Sequence, residues 1–120
     1  MKIAFTTSGD TTDSPLDQRF GRAPKYLVYE LDDDSFTVHD NSPNMNAAQG
    51  AGVQAAETVT RLGAKAIVTG HCGPKAFRVL AAAGVAVYPT DAPTVAEALA
   101  RYRAGRLQAA SGADVDGHWL

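Results

Sequence analysis

"GAKAIVTGHCGPKAFRVLAAAGVAVY", residues 63–88, decides the fold class. "AKAIVTG" (64–70) is an apolar, partly β-branched run that reads as a buried strand. "PKAFRVLAAA" (74–83) has helical spacing, with Pro74 in its first turn and Gly84 past its end, the usual asymmetry of a helix. "VAVYPT" (85–90) is a second strand. A strand, a helix and a strand joined by short turns make a crossover, and crossovers join parallel strands. Upstream, "VQAAETVTRL" (53–62) predicts a helix through Val53, Ala56, Val59 and Leu62, ended by Gly63. Downstream, "TVAEALARYRAG" (94–105) predicts a helix opened by the capping box Thr94-x-x-Glu97. The first third differs. "KIAFTT" (2–7) is a strand, and "KYLVYELD" (25–32) and "SFTVHDN" (35–41) are hairpin partners around the turn "DDD" (32–34). The expected fold is α/β: a central mixed β-sheet, with an antiparallel hairpin and a parallel βαβ part, flanked by helices.

At 120 residues the chain reads as one domain, 1–120, with its core in 1–108 and a weakly patterned tail, 109–120. That length suffices for a hydrophobic core without disulfides or a structural metal. Eleven Lys and Arg against 13 Asp and Glu give a net charge of −2, which suits no polyanion-binding protein and excludes nucleic acid as the expected partner. The single cysteine forms no internal disulfide and fits a reducing compartment. The N-terminus turns polar too early for a secretory leader, and no apolar run reaches the roughly 20 residues of a membrane helix. A cytoplasmic chain without membrane contact is expected.

Three turn-rich segments follow predicted strands: 8–24, 41–52 and 70–74. Ligands of open α/β sheets sit at the carboxyl ends of strands, so a site is expected there. "TGHCGPKAFRV" (69–79) contains His71, Cys72 and, six positions on, Arg78. This H-C-x5-R pattern resembles the phosphate loop of a cysteine phosphatase, with Cys72 as nucleophile and Arg78 closing the loop. The match is incomplete. Pro74 has no N–H to give a phosphate, Lys75 stands where the signature has glycine, and Val79 replaces a Ser or Thr. A second reading makes Cys72 a small buried side chain at a tight turn. A third makes the helix start, with Lys75, an anion site, and lets His71 or Cys72 ligate a soft metal. One Cys and one His do not close a zinc site.

"QRFGRAPK" (18–25) sets Arg19, Arg22 and Lys25 around an exposed-looking Phe20-Gly21. Glycine permits close approach, and the arginines offer planar, multi-donor heads for an anion. The alternative is a basic loop with Phe20 in the core. "NSPNMNAAQGAG" (41–52) offers Asn amides, the soft Met45 thioether and a glycine pair before a helix, and reads as a lid over the site or simply as a loop. No Ser/His/Asp triad or acid–base carboxylate pair assembles, and the polar groups suit holding an anion, not breaking a bond.

Together, "MKIAF", "DQRFGRAPKYLVYELDD", "GAG" before the first helix, "GAKAIVTGHCGPKAFRVLAAAGVAVY" and "TVAEALARYRAGRL" resemble the dinitrogenase iron–molybdenum cofactor biosynthesis family, over about residues 1–108. "FGRAP" and G-x-K-A-F-x-x-L-x-x-A-G-V-x-V-Y are the more specific parts. The family includes small carriers of iron–molybdenum cofactor precursors, and the orange proteins of sulfate reducers, which hold a molybdenum–copper sulfide cluster without covalent attachment. The resemblance implies a ribonuclease H-like fold and non-catalytic carriage of an anionic, molybdenum-containing metal–sulfur cluster, with a cluster donor or acceptor protein as partner. It places the binding residues at Arg19, Phe20, Gly21, Arg22, Asn41, Met45, Asn46, His71, Cys72, Gly73 and Lys75, with Cys72 and His71 as candidate metal ligands. The nuclease relatives of this fold need a carboxylate set on the first strand, and "KIAFTT" has none. A cysteine-dependent phosphate or arsenate enzyme, and a protein-docking module without a cluster, stand as the alternatives.

Overall fold

The computed structural model describes residues 1–42 and 50–110. Five strands form one mixed sheet in the order β3-β2-β1-β4-β5. They are β1 (Lys2–Thr7), β2 (Lys25–Glu30), β3 (Ser35–Asp40), β4 (Ala64–Thr69) and β5 (Ala86–Pro89). β1 pairs antiparallel with β2, and β2 with β3, while β4 runs parallel to both β1 and β5. Among the described residues, three helices flank the sheet: α1 (Ala51–Arg61), α2 (Pro74–Ala82) and α3 (Val95–Arg103). This is the expected mixed sheet flanked by helices.

Burial follows from position in the sheet. The central strands β1 and β4 are covered on both faces and are buried almost end to end, whereas the edge strand β3 is largely exposed. On one face Ala4, Tyr26, Val28, Ile67 and Val87 pack under Ala55, Ala56 and Val59 of α1 and Ala76 and Leu80 of α2. On the other face Ile3, Phe5, Leu27, Ala66 and Val68 pack under Val95 and Ala98 of α3. Gly63 (φ 87°) and Gly84 (φ 78°) follow the ends of α1 and α2 in the left-handed conformation that glycine adopts without steric cost.

Most boundaries shift by one or two residues from the sequence reading, and two of the shifts have a plain cause. α1 begins at Ala51, two residues before the periodic pattern, because Ala51 and Gly52 carry no apolar signal although Ala51 is buried. β2 stops at Glu30, because the hairpin needs a four-residue loop. Asp34 closes it at φ 60°, donating its N–H to Glu30 O at 2.9 Å. Among the described residues, no helix is long and apolar enough to cross a membrane.

Candidate functional site

β1 is followed by a chain that leads to β2 on one side, and β4 by a helix that leads to β5 on the other. The sheet therefore has its switch point between β1 and β4, where connections diverge and leave a crevice. Loop 8–24 is laced across it. Asp17 N–H donates to Thr6 O (2.8 Å), and the Thr6 hydroxyl donates to Asp17 O (2.6 Å). The buried hydroxyls of Thr6 and Thr69 meet at 2.9 Å and tie the two strand ends together. His71 N–H donates to Gln18 O (2.7 Å), and Phe20 N–H donates to His71 O (3.0 Å), so Arg19 and His71 stand side by side in a short parallel bridge.

Glycines allow this approach. A Cβ on Gly70 would lie 2.7 Å from Gln18 Cα, and a Cβ on Gly21 would lie 2.8 Å from both the Cα and the N of Gly52. A Cβ on Gly52 would in turn lie 3.2 Å from Ala76 Cβ. Loop 8–24, the start of α1 and the start of α2 thus stack through residues with little or no side chain. Beside the stack lies a cavity of about 320 Å³. Its walls are Phe20 and Gly21 from the loop, Gly50, Gly52 and Val53 from the start of α1, and Gly73, Pro74, Lys75 and Ala76 from the start of α2.

Both helix starts have glycine at the cap position. Neither Gly50 nor Gly73 provides a side-chain cap, and neither first turn holds an acid. The first N–H groups of a helix have no intrahelical acceptor, and they carry the positive end of the helix dipole. Two such ends meet at one cavity whose side chains are apolar apart from Lys75. A desolvated anion is the species such a place accommodates.

The sequence-predicted residues fall into three groups. Phe20, Gly21, Gly73 and Lys75 line the cavity. Arg19 and His71 are exposed at the loop junction, with Arg19 held by Asp17 through its backbone N–H (2.9 Å) and its Nε (3.4 Å). Arg22, half-buried beside Gly21, is not part of the cavity wall. Asn41 acts behind the wall. It is buried and donates from Nδ2 to Ala23 O (2.7 Å) and Gly21 O (3.3 Å), fixing the loop to the end of β3. Met45 and Asn46, and most of the expected lid, lie outside the described residues.

Burial decides between the alternative readings of two residues, and at both it selects the core. Phe20 is not a surface group. Only 2% exposed, it packs against Tyr26 with ring centroids 5.8 Å apart, and its carbonyl accepts the Tyr26 hydroxyl at 2.5 Å. It anchors the loop to the core while one side forms cavity wall. Cys72 is also 2% exposed and belongs to the core cluster beneath α1 and α2. Desolvation pushes its thiol up to about 12, so the thiolate that a nucleophile or a soft-metal ligand requires is disfavoured. Arg78 is exposed on α2, whereas the Cys72 sulfur is buried. Among the described residues no three His, Cys, Asp or Glu side chains form a metal-holding group.

Gly50, Gly52, Val53, Pro74 and Ala76 complete the walls and stood outside the predicted binding set. Their only sequence signal was position, at helix starts that follow turn-rich segments.

Comparison with known proteins agrees with this architecture. The apo form of the orange protein from Desulfovibrio gigas is 36% identical and superposes with a TM-score of 0.89, over 92% of this chain and 93% of that one. A NifB-related protein from Thermotoga is 29% identical with a TM-score of 0.79, over 90% of this chain and 91% of its own. An uncharacterized protein of Methanocaldococcus jannaschii is 26% identical over 110 residues, 90% of each chain. The family model described as dinitrogenase iron–molybdenum cofactor matches residues 1–105, and the chain belongs to that family.

Proposed function

We propose that the protein is a non-catalytic carrier whose cargo is an anionic, molybdenum-containing metal–sulfur cluster, either a molybdenum–copper sulfide or an iron–molybdenum precursor, passed to or from a partner protein. The observation that carries this reading is the convergence of two helix N-termini, each with glycine at the cap and no acid in the first turn, on one apolar-walled cavity at the sheet's switch point.

The donor set fits such a cargo. A cluster that brings its own sulfides needs no ligand atom from the protein. It needs N–H donors, a cation and polarizable walls. The first turns of α1 and α2 supply N–H groups, Lys75 supplies the cation, and Phe20, Val53, Pro74 and Ala76 supply apolar contact. Arg19, Arg22 and His71 add charge and donors on the adjoining loop, and Met45 and Asn46 complete the proposed binding set from loop 41–52. Cys72 serves as packing beneath the site. Hard oxyanions are poorly matched, because the apolar walls offer little to replace their hydration.

Reconstitution tests this directly. Apo-protein is mixed with tetrathiomolybdate, with and without Cu(I), then desalted, and the visible spectrum and metal content are recorded. Stoichiometric molybdenum retained after desalting, equally in Cys72→Ala, is the expected result. A copper requirement would identify the mixed-metal cargo. Loss of all metal on desalting, repeated with iron-containing precursors, would refute carriage.

A further inference from the structure

We propose that Arg78, outside the cavity, steers the anionic cargo to it and sets the loading rate. This rests on the carrier reading above. Arg78 is exposed on α2 three residues after Lys75, so the two side chains share a helix face about 4.5 Å apart along the axis. Neither has a hydrogen-bond or ion-pair partner among the described residues. Lone surface cations are ordinary. Their placement on this helix is not.

A helix is stabilised by acids in its first turn and bases in its last, and α3 obeys, with Glu97 in the first turn and Arg101 and Arg103 in the last. α2 does the reverse. "PKAFRVLAA" contains no acid, has no base in its last turn, and carries Lys75 in its first turn and Arg78 at its middle. Arg101 and Arg103 are also neutralised by Asp91, Glu97 and Asp34, whereas Lys75 and Arg78 are not. α2 therefore carries two uncompensated positive charges, Lys75 in the cavity wall and Arg78 one turn further along the same helix face. The Debye length, about 8 Å at physiological salt and about 30 Å at 0.01 M, exceeds the one-turn offset between Arg78 and Lys75, so Arg78 can bias an anion's approach, most strongly at low salt. Arg78 makes no part of the cavity wall, so its influence falls on encounter and not on retention.

Stopped-flow uptake of the tetrathiomolybdate dianion tests this in the wild-type protein, Arg78→Glu, Arg78→Lys and Lys75→Met. Arg78→Glu is expected to slow association about threefold to tenfold at low salt and less than about twofold at 0.5 M salt, with dissociation unchanged. Arg78→Lys should keep the wild-type rate, because steering reads charge and not guanidinium geometry. Lys75→Met, inside the cavity, should speed dissociation. Association in Arg78→Glu equal to wild type, or a change confined to dissociation, would overturn steering while leaving carriage intact. Failure of the wild-type protein to take up the dianion, with Cu(I) present and with iron-containing precursors alike, would overturn both.

Discussion

The N-terminus of α3 and the N-termini of α1 and α2 solve the same chemical problem in opposite ways. At α3, Thr94 caps the helix by accepting the Glu97 N–H at 3.1 Å, and Glu97 itself answers the dipole. Two further N–H groups are engaged by loop 8–24, Val95 to Ser14 O (3.0 Å) and Ala96 to Thr12 O (2.7 Å). A side-chain cap, a first-turn acid and backbone acceptors all settle this helix start. At α1 and α2 glycine occupies the cap, the first turns hold no acid, and the two ends face one cavity. Relative to a Ser, Thr, Asn or Asp cap, glycine forgoes about a few tenths of a kcal/mol at each, and the absent first-turn acid adds a similar amount. Stability is thus yielded where the proposed cargo's charge would be met, and kept where none is.

The comparison breaks most severely if the two open ends are pushed apart. Gly21→Val sets a branched side chain against the backbone of Gly52, where even a Cβ would come within 2.8 Å. Backbone cannot step aside as a flexible side chain does. A loss of about 3 kcal/mol in denaturant melts, together with abolished cluster loading, is expected. A variant with wild-type stability would show that the close stack is not what aligns the helix starts.

Next in size is Cys72, which separates the packing beneath the site from the site itself. Cys72→Ser buries a hydroxyl in an apolar cluster and should cost about 1–3 kcal/mol while loading persists. The wild-type thiol also predicts a pH dependence. Its folded-state pKa is raised to about 12 by burial, so the unfolded chain releases the thiol proton first as pH rises. Stability should fall with increasing pH from the ordinary thiol range towards 12, and the fall should be smaller in Cys72→Ala. A thiol that alkylates at neutral pH as fast as a free one would contradict its burial.

Element order and sheet composition were legible in the sequence because both rest on local periodicity. The run 63–88 reads as strand, helix and strand whatever surrounds it, and the glycines after α1 and α2 mark their ends. The site was legible only in part. Its location followed from a general rule about strand ends, and Gly21, Gly73 and Lys75 from the quality of their neighbourhoods. The lacing of loop 8–24 was not readable, because Asp17, Gln18 and Phe20 are held largely through backbone groups and any residue has those. Phe20 and Cys72 have no periodic neighbours that would mark them as buried. Asn41 looked like a ligand because an amide in a loop offers the same donors to a cluster as to the carbonyls of Gly21 and Ala23. Side-chain type announces capacity, and only the fold decides whether it is spent internally.

The smallest expected effects sharpen the comparison most. Thr94→Ala removes the α3 cap and should cost about 1 kcal/mol, read as a lowered melting temperature with unchanged loading. The reverse change at α2 is Gly73→Asp. Gly73 has an extended backbone (φ −66°, ψ 165°), the conformation of an N-cap, and a Cβ there meets nothing within 4 Å. The new carboxylate can accept from the first turn of α2 and face its dipole, so the protein should gain about 0.5–1 kcal/mol. The same carboxylate occupies the N–H groups assigned to the cargo and repels its charge, so loading should fall at least about tenfold. A variant that is more stable and empty would mean that the open helix ends are kept for binding. One that is more stable and still loads fully would place the cargo elsewhere, and the missing caps would then be only an unoptimised feature of the fold.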